Sequence, residues 1–177
     1  MLKIKKNKFK GLLFIQRELY KDNRGYLREL LIEKHINKKF KFHIVSKSKK
    51  NVLRGLHFQF KKPQGKYISV VKGKIFDVVV DLRKKSKTFG KSCSIVLSDK
   101  NCKSVYIPPG FAHGFKTLEK ENIICYSCTE YRSIGNEYGL FYNDPSLKIK
   151  WPNKEIIITK KDKFAKKLVE LIKNKII

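Results

Sequence analysis

Ile107-Pro108-Pro109-Gly110-Phe111-Ala112-His113-Gly114-Phe115 is a turn followed by a strand. The two prolines fix the backbone, and Gly110 supplies the freedom a sharp reversal needs. Beyond the turn, Phe111, His113 and Phe115 alternate with the small Ala112 and Gly114, which is the period of a β-strand. The same signal recurs on both sides. Short β-like runs are expected at 12–15, 25–32, 40–46, 52–60, 67–71, 74–82, 91–97, 104–107, 111–117 and 123–130. Asp22-Asn23-Arg24-Gly25, Lys62-Pro63-Gln64-Gly65 and Lys72-Gly73-Lys74 read as turns between them. Many short strands at near-regular spacing predict a mainly β fold, an antiparallel sandwich or barrel. One helix is expected at 163–173, where Phe164, Leu168, Leu171 and Ile172 recur at helical spacing and Thr159 or Asp162 can cap. With no internal repeat or long linker, residues 1–177 read as one domain.

The composition excludes several classes. Hydrophobic residues make up 41% and aromatics 12%, so the chain is globular rather than disordered. Apolar runs such as 75–80 and 156–158 are far too short to span a bilayer. The N-terminus, Met1-Leu2-Lys3-Ile4-Lys5-Lys6, has charge but no signal-peptide core, so a soluble, cytoplasmic protein with no membrane partner is expected. Four cysteines are too few for a disulfide scaffold. Cys125 and Cys128 lie three apart in a strand-like run, on opposite faces, which suits reduced structural thiols better than a metal site. The formal charge of +27, from 42 basic and 15 acidic residues, raises polyanion binding as a hypothesis. The lysines are dispersed, however, and only Arg17, Arg24, Arg28, Arg54, Arg83 and Arg132 carry the guanidinium that base readout favours. No specific nucleic-acid partner is expected.

Two of the four histidines stand in unusual settings. His57 lies in Val52-Leu53-Arg54-Gly55-Leu56-His57-Phe58-Gln59, and His113 follows the Pro-Pro-Gly turn. A hydrogen-bonded sheet histidine is the commonest state for such a residue. Here the two segments, bracketing Gly73 and Asp81, resemble the two halves of a cupin barrel. A metal-binding cupin carries a His-x-His pair and a carboxylate in its first half. This chain offers only His57 there, too few ligands for a tight transition-metal site. No metal is expected, which leaves His57 free as an acid or base.

Nine segments then extend the likeness. They are Asp22-Asn23-Arg24-Gly25-Tyr26-Leu27-Arg28-Glu29, residues 52–59, Pro63-Gln64-Gly65-Lys66, residues 77–83 with Ser86-Lys87-Thr88-Phe89-Gly90, residues 107–115, 126–131, Tyr142-Asn143-Asp144-Pro145, Trp151-Pro152 and Thr159-Lys160-Lys161-Asp162. In this order, across nearly the whole chain, they resemble the dTDP-4-dehydrorhamnose 3,5-epimerase family. The resemblance implies a homodimeric, cupin-like jelly roll that needs no cofactor and takes a nucleoside diphosphate 4-keto-6-deoxy sugar. It makes His57 the base, Asp162 its orienting carboxylate and Tyr126 the general acid. Arg24, Glu29, Arg54, Lys66, His113, Tyr131 and Gln59 are the implied substrate contacts.

The chemistry of the residues agrees with that assignment. A C4 ketone acidifies the hydrogens on C3 and C5. Removing one gives an enolate, and reprotonation from the other face inverts the centre. Imidazole suits the base near neutral pH, and a carboxylate fixes its tautomer. Lys66 is the candidate to hold the oxyanion, and Arg54 and Arg24 the diphosphate. Strand parity sets conditions on this picture. Arg54 and His57 share a pocket only if the strand bulges near Gly55. Tyr131 faces away from Tyr126 unless the strand bends or ends between them, and Cys128 shares Tyr126's face.

The sequence also departs from the family. Two polar contact positions, Gln and Asn in the family, are Phe42 and Ile44 here. The carrier, dTDP or GDP, and the sugar, hexose or heptose, therefore stay open, as does inversion at one carbon or two. A 3,4-ketoisomerase on the same barrel and a non-catalytic polyanion-binding module are the other readings.

Overall fold

The computed structural model describes residues 2–177. The strands are β1 (Lys3–Lys6), β2 (Leu13–Gln16), β3 (Tyr20–Asp22), β4 (Gly25–Leu27), β5 (Phe42–Lys49), β6 (Leu53–Gln59), β7 (Lys66–Lys72), β8 (Lys74–Asp81), β9 (Ser92–Ser98), β10 (Lys103–Ile107), β11 (Phe111–Thr117), β12 (Glu121–Cys128) and β13 (Glu137–Gly139). Two short helices follow, α1 (Lys160–Lys163) and α2 (Leu168–Lys173). A six-stranded sheet in the order β1-β2-β10-β7-β12-β5 faces a five-stranded sheet, β13-β6-β11-β8-β9; β3 and β4 form a separate hairpin. Every strand pairing is antiparallel. The strand pattern predicts an antiparallel sandwich or barrel, and the structure is the cupin-like jelly roll that the resemblance implies.

Alternation explains the layers. The inward residues Ile68, Val70, Val105 and Ile124 of the large sheet meet Ile75, Val79, Leu97, Phe111 and Phe115 of the small one. The other face of the small sheet is buried as well. There Leu56, Val78, Val80 and Ala112 pack under Leu140, Leu147, Leu171 and Ile177 of the C-terminal segment. With both faces covered, β8 reads as a nearly unbroken apolar run.

Two expected elements differ. The run at 25–32 pairs only at Gly25–Leu27, within an exposed hairpin that has no third strand to extend it. The helix expected at 163–173 is split. Lys166 makes a parallel bridge to Leu140, its carbonyl accepting from Phe141 N–H at 2.8 Å, and this extended pairing displaces the helical turn. Leu171 is buried as the spacing predicts, but Phe164 is 76% exposed. Thr159 is the cap, its hydroxyl accepting from Asp162 N–H, which frees the Asp162 carboxylate to point elsewhere. All four cysteines are free thiols. Among the described residues, no helix is long and apolar enough to cross a membrane.

The end of β8 carries a carboxylate that anchors the following turn. Asp81, wholly buried, accepts from Arg83 Nε and Nη2, both at 2.8 Å, and from the Ser86 and Thr88 hydroxyls, both at 2.6 Å. Burial raises its pKa, but the bonds from Arg83, Ser86 and Thr88 outweigh this and bring it down to about 2. The folded value lies below the unfolded one, so the stabilisation is present above about pH 4 and is lost as pH falls towards 2. Asp81→Asn should therefore lower the unfolding free energy by about 2 kcal/mol near neutral pH. In urea titrations the gap to wild type should narrow as pH falls through that window. A pH-independent gap would mean the charge is not what Asp81 contributes.

Candidate active site

The site opens between the sheets, where β5, β6, β7, β11 and β12 converge with the 157–162 segment. It has two adjoining chambers of about 470 and 330 Å³. Arg54, His57, Lys66, Tyr126 and Lys161 line both. His113 and Asp162 belong to the first, and Phe42, Ile44, Ser46 and Cys128 to the second.

Arg54 and His57 reach the same cavity because β6 slips register against β11. His113 pairs with His57, but Phe115 pairs with Arg54, one residue out of step. Gly55 sits at the slip with φ of +102°, and a Cβ there would lie 2.6 Å from the His113 carbonyl oxygen. Only glycine allows that approach.

His57 Nε2 donates to Asp162 Oδ1 at 2.6 Å, while Asp162 Oδ2 accepts from Gly55 N–H at 3.2 Å. Burial raises the Asp162 pKa; the hydrogen bonds from His57 and Gly55 help to overcome it, so the net shift is downward. Asp162 is thus a carboxylate, and it fixes the proton on Nε2 and the lone pair on Nδ1. A second pair lies beside it. His113 Nε2 donates to Asp77 Oδ2 at 2.7 Å, and both side chains are buried.

Across the cavity, the Tyr126 hydroxyl is 3.0 Å from Ser46 Oγ. Burial raises the Tyr126 pKa above the tyrosine range, more than Ser46 and Arg54 lower it, so this phenol keeps its proton. Lys66 moves the opposite way. Burial lowers its pKa, opposed in part by Cys128, Glu137 and Asp77. Arg54 Nε donates to Ser48 Oγ at 3.1 Å. The inner face of β5 therefore runs from apolar Phe42 and Ile44 to Ser46 and Ser48, which hold Tyr126 and Arg54. A base, a protonated acid and a partly buried ammonium around one cavity suit proton transfer at a carbon beside a carbonyl.

A model of the dTDP-4-dehydrorhamnose 3,5-epimerase family matches residues 6–170. The chain belongs to that family. It is 42% identical over 173 residues to the dTDP-4-dehydrorhamnose 3,5-epimerase of Methanothermobacter thermautotrophicus, covering 93% of this chain and 94% of the relative. The dTDP-6-deoxy-D-glucose-3,5-epimerase of Legionella pneumophila, solved in complex with dTDP-4-keto-L-rhamnose, matches with a TM-score of 0.93 at 36% identity, over 100% of this chain and 97% of that one. A 3'-monoepimerase from Streptomyces bikiniensis, in complex with dTDP-quinovose, matches with a TM-score of 0.90 at 25% identity, over 96% and 89% of the two chains. This chain is accordingly an isomerase, an epimerase of the nucleotide-sugar kind.

Within this epimerase, His57, Asp162, Lys66, Tyr126, Arg54 and His113 come together at one cavity. Four other expected residues lie apart from it. Arg24 is exposed on the β3–β4 hairpin and pairs with Asp22, and Glu29 pairs with Arg17. Tyr131 lies beyond the end of β12, 59% exposed, with its ring stacked on Phe42 at 5.8 Å. Gln59 is buried and holds a loop, donating to Lys62 and Tyr131 carbonyls and accepting from Ser133 N–H. Sequence reasoning missed Ser46, Asp77 and Lys161. Asp77 had a readable signal, since it shares the inward parity of Ile75 and Val79 in β8.

Proposed function

We propose that this epimerase inverts C3 and C5 of a dTDP-linked 4-keto-6-deoxy sugar. The observation that carries this reading is the 2.6 Å His57–Asp162 pair at the wall of a cavity that Lys66 and Tyr126 also line. His57 takes the proton from C3 or C5. Lys66 holds the developing C4 oxyanion, and Tyr126 returns a proton from the opposite face. Arg54 holds the diphosphate and His113 stands beside it; Arg24, Glu29, Tyr131 and Gln59, the other implied contacts, lie outside this cavity, and the reading assigns no cofactor. The whole chain acts as one cytoplasmic domain in a homodimer. Exposed Ile44 and Val45, beside Leu30, Leu31 and Tyr67, line a groove of about 510 Å³ that supports a second copy there.

The test is incubation in heavy water with dTDP-4-keto-6-deoxyglucose and, separately, GDP-linked 4-keto sugars, with carbon-bound label read by mass spectrometry and NMR. Label at both C3 and C5 of the dTDP sugar is the expected result. Label at one carbon would make this a single-site epimerase, a reading that the apolar Phe42 and Ile44 wall favours by offering fewer hydrogen bonds to hold two sugar poses. Intact protein that labels no 4-keto sugar would overturn the proposal. Tyr126→Phe should still label substrate while inverted product falls about 100-fold, because abstraction needs only the base. Equal loss of both would remove Tyr126 from the acid role.

A further inference from the structure

Lys116 is a lysine with no exposed surface, on the strand that carries His113. Its side chain reaches from β11 to the segment that follows Trp151. Its Nζ donates to the Pro152 carbonyl at 2.7 Å, to the Asn153 carbonyl at 3.2 Å and to Asn153 Oδ1. Three donors meet three acceptors, so the ammonium is satisfied without a carboxylate in contact. Burial still lowers its pKa, with Glu155 opposing.

The contacts continue from there. Asn153 Nδ2 donates to Asn51 Oδ1 at 3.3 Å, and Asn51 Nδ2 donates to Glu155 Oε2 at 2.6 Å. Asn51 N–H in turn donates to the Thr117 carbonyl. One step further, Ile157 N–H donates to the Asn51 carbonyl at 2.8 Å and Leu53 N–H to the Ile157 carbonyl at 2.9 Å. Three segments are thus joined: the end of β11, the turn into β6, and residues 152–157. Residues 152–157 form no regular strand or helix beyond the single bridge at Ile157. Side-chain bonds therefore set where this stretch runs, and it leads directly to Thr159 and Asp162.

We propose that Lys116 is a positioning residue, tying the 152–157 segment to β11 and β6 so that Asp162 meets His57 at bonding distance. A buried ammonium suits this work because it can engage two carbonyls and an amide oxygen of one turn at once. No apolar side chain of that length could satisfy them, and unpaired buried carbonyls would drive the turn towards water. A shift of about 1 Å at an orienting group is enough to cost about 10- to 100-fold in rate.

The inference rests on His57 and Asp162 being the catalytic pair, so its test has one arm that needs no substrate. Lys116→Met keeps the length of the side chain and removes its donors. In that variant the ¹⁵N shift of His57 Nε2 should move away from its wild-type value, while His113 Nε2, held by Asp77, stays in place. Where the wild type exchanges substrate hydrogens, kcat should fall about 10- to 100-fold with KM changed by less than about threefold. Should Lys116→Met fail to fold, Asn153→Ala removes one acceptor and the Asn51 link. It should give a smaller change of the same sign in both readouts. A folded variant with wild-type His57 shift and kcat would overturn the proposal. Inactive wild type on every 4-keto sugar would instead sink the assigned reaction and leave the NMR arm to judge Lys116.

Discussion

Replacing His57 with asparagine should abolish hydrogen exchange at the sugar carbons while the protein still folds. The expected fall in kcat is about 100- to 10,000-fold, the range contributed by a positioned general base. Folding survives because the His57 side chain is 40% exposed and stands at a cavity wall rather than in the core. Asp162 keeps its bond from Gly55 N–H and its place after the Thr159 cap. It loses one partner while nearly buried, so a stability loss of about 1–3 kcal/mol is expected. Thermal melts followed by circular dichroism would check the fold, and deuterium incorporation the chemistry. Asp162→Asn should also slow exchange, because an amide cannot stabilise the imidazolium and can favour the wrong tautomer. Wild-type exchange in the folded His57→Asn protein would remove His57 from the base role, whatever else lines the cavity.

The reading of β6 shows what sequence pattern can reach. Parity alone put Arg54 and His57 on opposite faces, and the chemistry wanted both in one pocket. That conflict called for a bulge at Gly55, and the register slip against β11 is there. The same parity argument linked Cys128 with Tyr126, which line one chamber. Periodicity failed at the C-terminus for a physical reason. Helical spacing over 163–173 is a local signal, and the bridge from Lys166 to Leu140 is a tertiary one that overrides it. The side-chain partners were similarly out of reach. Nothing near His113 in sequence names Asp77, and nothing near Tyr126 names Ser46. Each pair is made by strands that meet only in the folded sheet. Phe42 was legible as a departure, but its stacking on Tyr131 was not.

Lys66 should be nearly as costly to lose as the base, and it should also set the upper pH limit of activity. It begins β7, opposite Cys128 of β12, and lines both chambers with His57 and Tyr126. A charge that appears on C4 oxygen in the transition state gains most from a cation already fixed in a water-poor site. Lys66→Met should therefore lower kcat about 100- to 1000-fold, with a smaller change in KM. Burial lowers the Lys66 pKa, so the ammonium is lost at a pH below the ordinary lysine range, and activity should fall there as pH rises. Tyr126 cannot produce that fall, because burial moves its ionisation upward, beyond the ordinary tyrosine range. The two groups are separated by the sign of their shifts. Lys66→Arg sharpens the distinction: a guanidinium keeps its charge throughout, so the alkaline fall should disappear even though a planar fork holds the oxyanion less well and lowers kcat. An alkaline fall that persists unchanged in Lys66→Arg would assign it to another group, and near-wild-type kcat in Lys66→Met would remove Lys66 from the oxyanion role.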